Sequence, residues 1–188
     1  MVAVLATGPS LTKALPYIER AKCKAIAVND AYRVAPWADM LYAADCVWWK
    51  HHVEAVRKFA GMKVTLCGQG AEAERLLIGG TKGFDPRPTH LRTGSNSTYQ
   101  AAHIAIHAGA RKVVFFGLDL HTVKGKHFFG AHPKPLRNTH CYRNFIARFG
   151  ELAVELRKIK HPVEIVNATP GSACNAFPIV DPASEWWR

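Results

Sequence analysis

The sequence holds no apolar run near the ~20 residues that span a bilayer, no CxxC pair, no internal repeat and no low-complexity tract. A membrane-spanning helix and a zinc knot are therefore not expected. The five cysteines, Cys23, Cys46, Cys67, Cys141 and Cys174, are odd in number and scattered. That pattern argues against a disulfide framework, and reduced thiols in a cytoplasmic protein are the expectation. The opening Met1–Ser10 lacks the basic stretch of a signal peptide, which agrees with that placement. Acid is also scarce: 14 Asp and Glu stand against 25 Lys and Arg, a formal net charge of +11.

The excess is concentrated. Residues 86–150 carry ten basic side chains and a single acid, Asp119, and hold seven of the ten histidines. Such a segment suits a polyanionic ligand such as nucleotide phosphate, nucleic acid or an anionic lipid surface; the plainer reading is a solvated face. With 188 residues, 48% of them hydrophobic, the chain has the length and composition of one globular domain.

Short apolar runs alternate with helical patterns. Runs at 2–6, 25–28, 40–44, 63–67, 112–116 and 163–166 read as strands, and 47–59, 71–77, 98–108 and 142–158 as helices. Lys13–Arg20 reads as a short, broken helical turn, 79–88 as a long loop, and 121–139 as loop. In the 47–59 helix, Val47, Val53, Val56 and Phe59 fall on one side. The run Val113–Phe116 is continuous rather than alternating, which is the pattern of a strand buried on both faces. The expected fold is α/β: a single Rossmann-like domain over 1–188, a largely parallel sheet with helices on both faces, and a short basic lid at 121–140.

In such sheets ligands bind beyond the carboxyl ends of the strands, so the polar residues after each strand are the site candidates. The first strand delivers Thr7-Gly8-Pro9-Ser10, where the Ser10 amide and the following turn suit a phosphate at a helix start. The turn is neither a GxGxxG nor a P-loop. The second strand ends at Asn29-Asp30 and the third at Asp45, side chains suited to a ribose hydroxyl, a base edge or a plain helix cap. Arg92-Thr93-Gly94-Ser95 with Asn96 and Ser97 opens the alanine-rich helix, as a phosphate or base pocket or as a doubly capped start. Gly117 and Asp119 follow the strand at 112–116; Asp119 reads as a metal or ribose ligand, or as a counter-ion within the basic loop.

Taken together, these motifs resemble the bacterial sialyltransferases that modify lipooligosaccharide, and the related 6-hydroxymethylpterin diphosphokinase-like domains. The resemblance lies in Val2–Leu11, in Val28-Asn29 with Tyr42–Asp45, and above all in Thr93-Gly94-Ser95 through Ala105-Ile106, Ala108-Gly109 and Val114–Asp119. It implies a cytidine-nucleotide site, with Gly8 and Ser10 at the phosphates, Asn29 and Asp45 near ribose or base, and Ser95 and Gly117 lining the pocket. It further implies His140 as the general base that takes the acceptor hydroxyl's proton. The basic lid residues Lys124, Lys126, Lys134 and Arg137 would then steady the departing phosphate. Where the family has a glycine and an asparagine this chain has Ala6 and Thr7, and His127, Phe128 and Phe129 stand in the region of its paired lid tyrosines.

The other histidines read more plainly. His103 and His107, at i and i+4, form half of a metal site or a surface pair, and the pair is the reading adopted. His51-His52 follows packed Trp48-Trp49. The group His121, His127, His132, His140 and Cys141 matches no usual zinc spacing. Trp186-Trp187 packs on the body or on a second subunit. The sequence thus reads as a nucleotide-binding, glycosyltransferase-like enzyme with a cytidine nucleotide-sugar donor, a hydroxyl acceptor and no tightly bound cofactor. One alternative is Mg²⁺-dependent pyrophosphoryl transfer from ATP, with Asp119, Asp45 and Asp30 as the carboxylates. The other is a non-catalytic nucleotide or nucleic-acid binder using residues 86–150. Shortness and charge also suit a phage-encoded enzyme with a large acceptor, nucleic acid included.

Overall fold

Six β-branched or aromatic-rich runs, too short and too apolar for surface helices, assemble the centre of the molecule. The computed structural model describes residues 1–68, 71–123, 125–136, 141–184 and 187. Its strands β1 (Val2–Leu5), β2 (Lys24–Val28), β3 (Met40–Ala43), β4 (Met62–Thr65), β5 (Glu74–Arg75), β8 (Lys112–Phe116) and β9 (Glu164–Asn167) form one sheet in the order 5-4-3-2-1-8-9. Every pairing in it is parallel. Strands β6 (Leu77–Gly80) and β7 (His90–Arg92) pair in a separate parallel ribbon. The expected α/β architecture is the observed one.

Successive residues of the central strands feed opposite faces. Ala3, Leu5, Val114 and Phe116 join one core with helices α1 (Leu11–Ala21) and α2 (Cys46–Arg57). Val4, Val113 and Phe115 join a second core with α3 (Ser97–His107) and α4 (Tyr142–Leu156). Both faces are covered, which is why these runs carry no polar alternation. The order reverses between β1 and β8, since β2 continues on one side of β1 while β8 and β9 build the other.

Four local expectations change. First, α1 is continuous through Pro16. The proline forgoes one helical hydrogen bond, but Leu11, Ala14 and Ile18 form a buried stripe that holds the helix to the sheet. Second, the helix expected at 71–77 is absent among the described residues. Glu74–Arg75 instead pairs with Val64–Thr65, a long-range contact that local spacing cannot reveal, and β6 takes the first residues of the loop expected at 79–88. Third, α2 buries Trp48, Trp49 and Val56, whereas Val47 is exposed. The indoles outweigh the valines in apolar area and set the helix's rotation. Fourth, Cys46 and Cys67 form a disulfide, contrary to the expectation of reduced thiols throughout. Cys46 follows β3 and Cys67 follows β4, and the parallel pairing Ala43↔Thr65 brings these ends side by side with their Cα atoms 5.0 Å apart.

Trp187 is buried against Phe116 and donates through Nε1 to the Pro182 carbonyl (2.7 Å), so it packs on its own chain. Trp186 lies outside the described residues. No helix among the described residues is long and apolar enough to cross a membrane.

Candidate functional site

The strand reversal between β1 and β8 leaves a crevice beyond their carboxyl ends, the general ligand position in open α/β sheets. A cleft of about 940 Å³ opens there. It takes Thr7 from the end of β1, Asn29 from β2, Asp45 from β3 and Cys67 from β4, with Thr93–Thr98 from the turn before α3. A smaller recess of about 60 Å³ adjoins it, lined by Gly8, Gly117, Asp119, Lys126 and Tyr142. Thr7, Asn96, Thr98, His127 and Phe145 line both.

The floor of the recess is a tight crossing of two turns. The Gly8 amide donates to the Gly117 carbonyl (3.0 Å), and a Cβ on Gly8 would stand 2.0 Å from an Asp119 carboxylate oxygen. Only glycine admits that approach. The sequence reading offered the Ser10 amide to a phosphate; the structure gives it to Asp119. Ser10 donates to this buried carboxylate from Oγ (2.8 Å) and from the amide (3.3 Å). Asp119 therefore closes the α1 turn from within by accepting from uncharged groups, a role that none of the sequence readings gave it.

The turn before α3 is held by a relay. The Tyr42 hydroxyl donates to Gln100 Oε1 (2.7 Å), and Gln100 Nε2 donates to the Thr93 carbonyl (2.6 Å). Gly94 and Ser95 are both left-handed, with φ of 50° and 53°. A side chain on Gly94 would also strike the Tyr99 ring at 2.5 Å. Asn96 caps α3, its Oδ1 accepting from the amides of Thr98 and Tyr99. Three amides at the two helix starts are thus engaged internally. Exposed Lys126 is the one Lys or Arg among the described residues that line the recess, and Arg148 lines the cleft.

His127 and Phe128 of the basic segment lie against the end of β1. The Phe128 amide donates to the Thr7 carbonyl (3.0 Å), and Thr7 Oγ1 lies 2.9 Å from His127 Nδ1. His127 stacks on Phe129 (4.9 Å, 2°), and Arg33 lies over the Phe129 ring.

Of the residues singled out from the sequence, Asn29, Asp45, Thr93, Gly94 and Ser95 meet in the cleft, and Gly8, Gly117, Asp119 and Lys126 in the recess. Pro9, Ser10 and Lys134 line neither. Arg92 faces away, beside Lys82 and Phe84, with Nε 3.2 Å from the buried Asp85 carboxylate. Its strand β7 belongs to the separate ribbon, which turns the guanidinium from the crevice. Lys124, Arg137 and His140 lie outside the described residues. The cleft also contains Cys141, Asn144, Phe145 and Arg148. Their spacing, close to one α-helical face, was the available signal.

The carboxylates considered for Mg²⁺ do not converge. Asp30 is buried, accepts from Trp48 Nε1 (2.9 Å) and lies 3.4 Å from Arg33; Asp119 is engaged by Ser10. No group of three or more potential ligands for a metal ion occurs among the described residues. His103 is not at the surface: it is fully buried, with its ring nitrogens 3.1 Å from the Tyr99 and Gly83 carbonyls, and burial brings its pKa down to about 4. His52 is likewise packed, stacked on Trp48 with Nδ1 3.0 Å from the Tyr32 hydroxyl.

No protein-family model and no curated protein sequence matches the chain. Solved structures do. A MAf glycosyltransferase from Magnetospirillum magneticum AMB-1 superposes with a TM-score of 0.68 at 13% identity over 97% of this chain. The match covers 34% of that protein, so the chain spans about a third of its length. The sialyltransferase CstII from Campylobacter jejuni, solved with the substrate analogue cytidine-5'-monophosphate, gives 0.55 at 12% identity over 96% of this chain and 85% of the other. CstII in complex with a trisaccharide acceptor and CMP also gives 0.55, at 12% identity and with 95% and 85% covered. At these identities the likeness is one of fold: the chain is built on an α/β scaffold that is found in glycosyltransferases.

Proposed function

We propose that the protein is a nucleotide-dependent glycosyltransferase, with a cytidine nucleotide-sugar as the first candidate donor and a hydroxyl as acceptor. The observation that carries this reading is the cleft at the β1/β8 reversal, walled by short hydrogen-bonding side chains from three strand ends and the α3 turn. A fold shared with glycosyltransferases, one of them solved with CMP, supports the choice of donor class.

In the reaction the acceptor oxygen bonds to the anomeric carbon as the bond from that carbon to the phosphate oxygen breaks. The nucleotide leaves with the electron pair, and the acceptor's proton passes to a base. Lys126, which lines the recess, would balance the growing phosphate charge. His140 remains the base suggested by the family resemblance, and His127, which lines the cleft, is the other candidate.

Thermal unfolding with CMP, CDP, CTP, UDP, GDP, ADP and ATP, each with and without Mg²⁺, tests the reading. Ligand at 100 times its Kd stabilises by about 2.7 kcal/mol. The expected result is a cytidine-selective rise in Tm that needs no Mg²⁺ and is lost in Asn29→Ala and Ser95→Ala. Turnover assays of His127→Ala and His140→Ala then assign the base. A rise with ATP only when Mg²⁺ is present would replace glycosyl by pyrophosphoryl transfer. No rise with any nucleotide would end both.

A further inference from the structure

We propose that Tyr42, which is buried out of reach of any ligand, is a positioning residue for the nucleotide and acts through Gln100 on the turn that carries Ser95. The inference rests on the nucleotide-binding reading above and names what holds the nucleotide-facing turn in shape. That turn has an unusual backbone. Ser95 is left-handed (φ 53°) directly after the equally left-handed Gly94 (φ 50°). A residue with a Cβ enters that region at a cost, and it stays there only where its surroundings over-determine the conformation. Ser95 is itself exposed and lines the cleft, so burial of its own side chain does not supply that support.

Two sets of hydrogen bonds hold the turn. From the side of the separate ribbon, the Thr93 and Gly94 amides donate to the carbonyls of Gly80 (2.8 Å) and Thr81 (2.9 Å). From within, the Thr93 carbonyl accepts from the Asn96 amide (3.1 Å) and from Gln100 Nε2 (2.6 Å). The orientation of Gln100 is fixed by its partners. A carbonyl only accepts, so the amide nitrogen must face Thr93, and Oε1 is left to the Tyr42 hydroxyl, which donates to it (2.7 Å). Tyr42 and Gln100 are 0% and 4% exposed, and an unmet polar group at that depth is costly. The hydroxyl keeps its proton, because burial pushes the Tyr42 pKa well above its ordinary value.

The two members of the relay stand differently toward the cleft. Gln100 lines it, whereas Tyr42, on β3, lines neither the cleft nor the recess. Any effect of Tyr42 on a bound nucleotide must therefore pass through its neighbours. Without the hydroxyl, Gln100 Oε1 is left buried and unmet, and the amide loses the partner that fixes its rotation. The Thr93 carbonyl then loses the donor on its inner side, and the left-handed pair beside it relaxes. The outcome is a folded protein whose Ser95 no longer stands where the nucleotide needs it.

The test is a double-mutant cycle read by calorimetry. Binding of CMP, or of whichever nucleotide tried above gives the largest rise in Tm, is measured on the wild-type chain, Tyr42→Phe, Gln100→Leu and the double variant. Tyr42→Phe removes the hydroxyl and keeps the ring. It is expected to raise Kd by about tenfold, within the coupling that hydrogen-bonded neighbours show, with the stoichiometry unchanged. Stoichiometry separates the two kinds of damage: loss of folded protein lowers the number of sites, whereas a misplaced turn raises Kd. On the Gln100→Leu background the change at Tyr42 should add nothing, because the relay is already cut. Should Gln100→Leu fail to fold, Gln100→Met replaces it in the cycle. An unchanged Kd in Tyr42→Phe overturns the inference, as does a loss that persists in full on the Gln100 variant. If Ser95→Ala weakens binding and Tyr42→Phe does not, the inference alone falls. If no nucleotide binds the wild-type chain, the reading beneath it falls as well.

Discussion

At the scale of single residues, the crossing of Gly8 and Asp119 is the most constrained point of the crevice. The carboxylate that closes the α1 turn occupies the space a side chain on Gly8 would need, and the Gly117 carbonyl lies 2.4 Å from the same position. Gly8→Ala should destabilise the protein by about 3 kcal/mol, because neither backbone carbonyl nor buried carboxylate can move aside cheaply. Urea denaturation at pH 7 measures it; a loss below 1 kcal/mol would mean that the two turns are not packed as described. The importance of Gly8 was legible in the sequence, from a glycine directly after a buried strand. Its partner was not, since Asp119 lies 109 residues from Ser10 and only the adjacency of β1 and β8 brings them together. Asp45 was visible as a residue after a strand, but whether it capped α2 or faced the cleft depended on a side-chain orientation that spacing does not encode.

At the scale of elements, helix α3 was readable because alanine-rich composition and the Asn96 cap agree with its burial. Residues 71–77 were misread because a two-residue strand has no periodicity of its own and exists through its pairing with β4. The Cys46–Cys67 bond belongs to this scale too. It ties the start of α2 to the chain leaving β4 and closes a loop of 21 residues. Replacing both cysteines by serine should cost about 3 kcal/mol through the entropy returned to the unfolded chain. The denatured, unreduced protein should titrate three thiols, Cys23, Cys141 and Cys174, and the reduced protein five. Five thiols without reductant would remove the bond.

At the scale of the whole molecule, buried histidines make stability depend on pH. His103 titrates near 4 in the folded chain, against 6.5 for an unburied imidazole, and burial also lowers His52, His107 and His132. Between those values the unfolded chain binds protons that the folded chain refuses, so stability is full above about pH 6.5 and falls as pH drops toward 4. His103 alone accounts for about 3 kcal/mol of that fall. Denaturation at pH 7.0 and 4.5 should show it, and His103→Gln should flatten the difference by a large part. An unchanged slope in that variant would place the titrating groups elsewhere.

The sequence by itself determined the layered α/β class, because strands buried on both faces must be continuous and apolar, and it marked Thr7, Asn29 and Asp45 of the cleft as polar residues where such runs stop. It also marked the basic segment, part of which packs on the end of β1 through the Phe128 amide and the Thr7 carbonyl. Tertiary structure alone decided which of those polar groups are engaged internally and which face the cleft. Asp119 and Asp30 are taken up by Ser10 and Trp48, Arg92 is drawn off by Asp85, and Asp45 is left open. The reason is physical: a polar side chain's role depends on the partners within about 3 Å of it, and in a parallel sheet those partners come from strands distant in sequence.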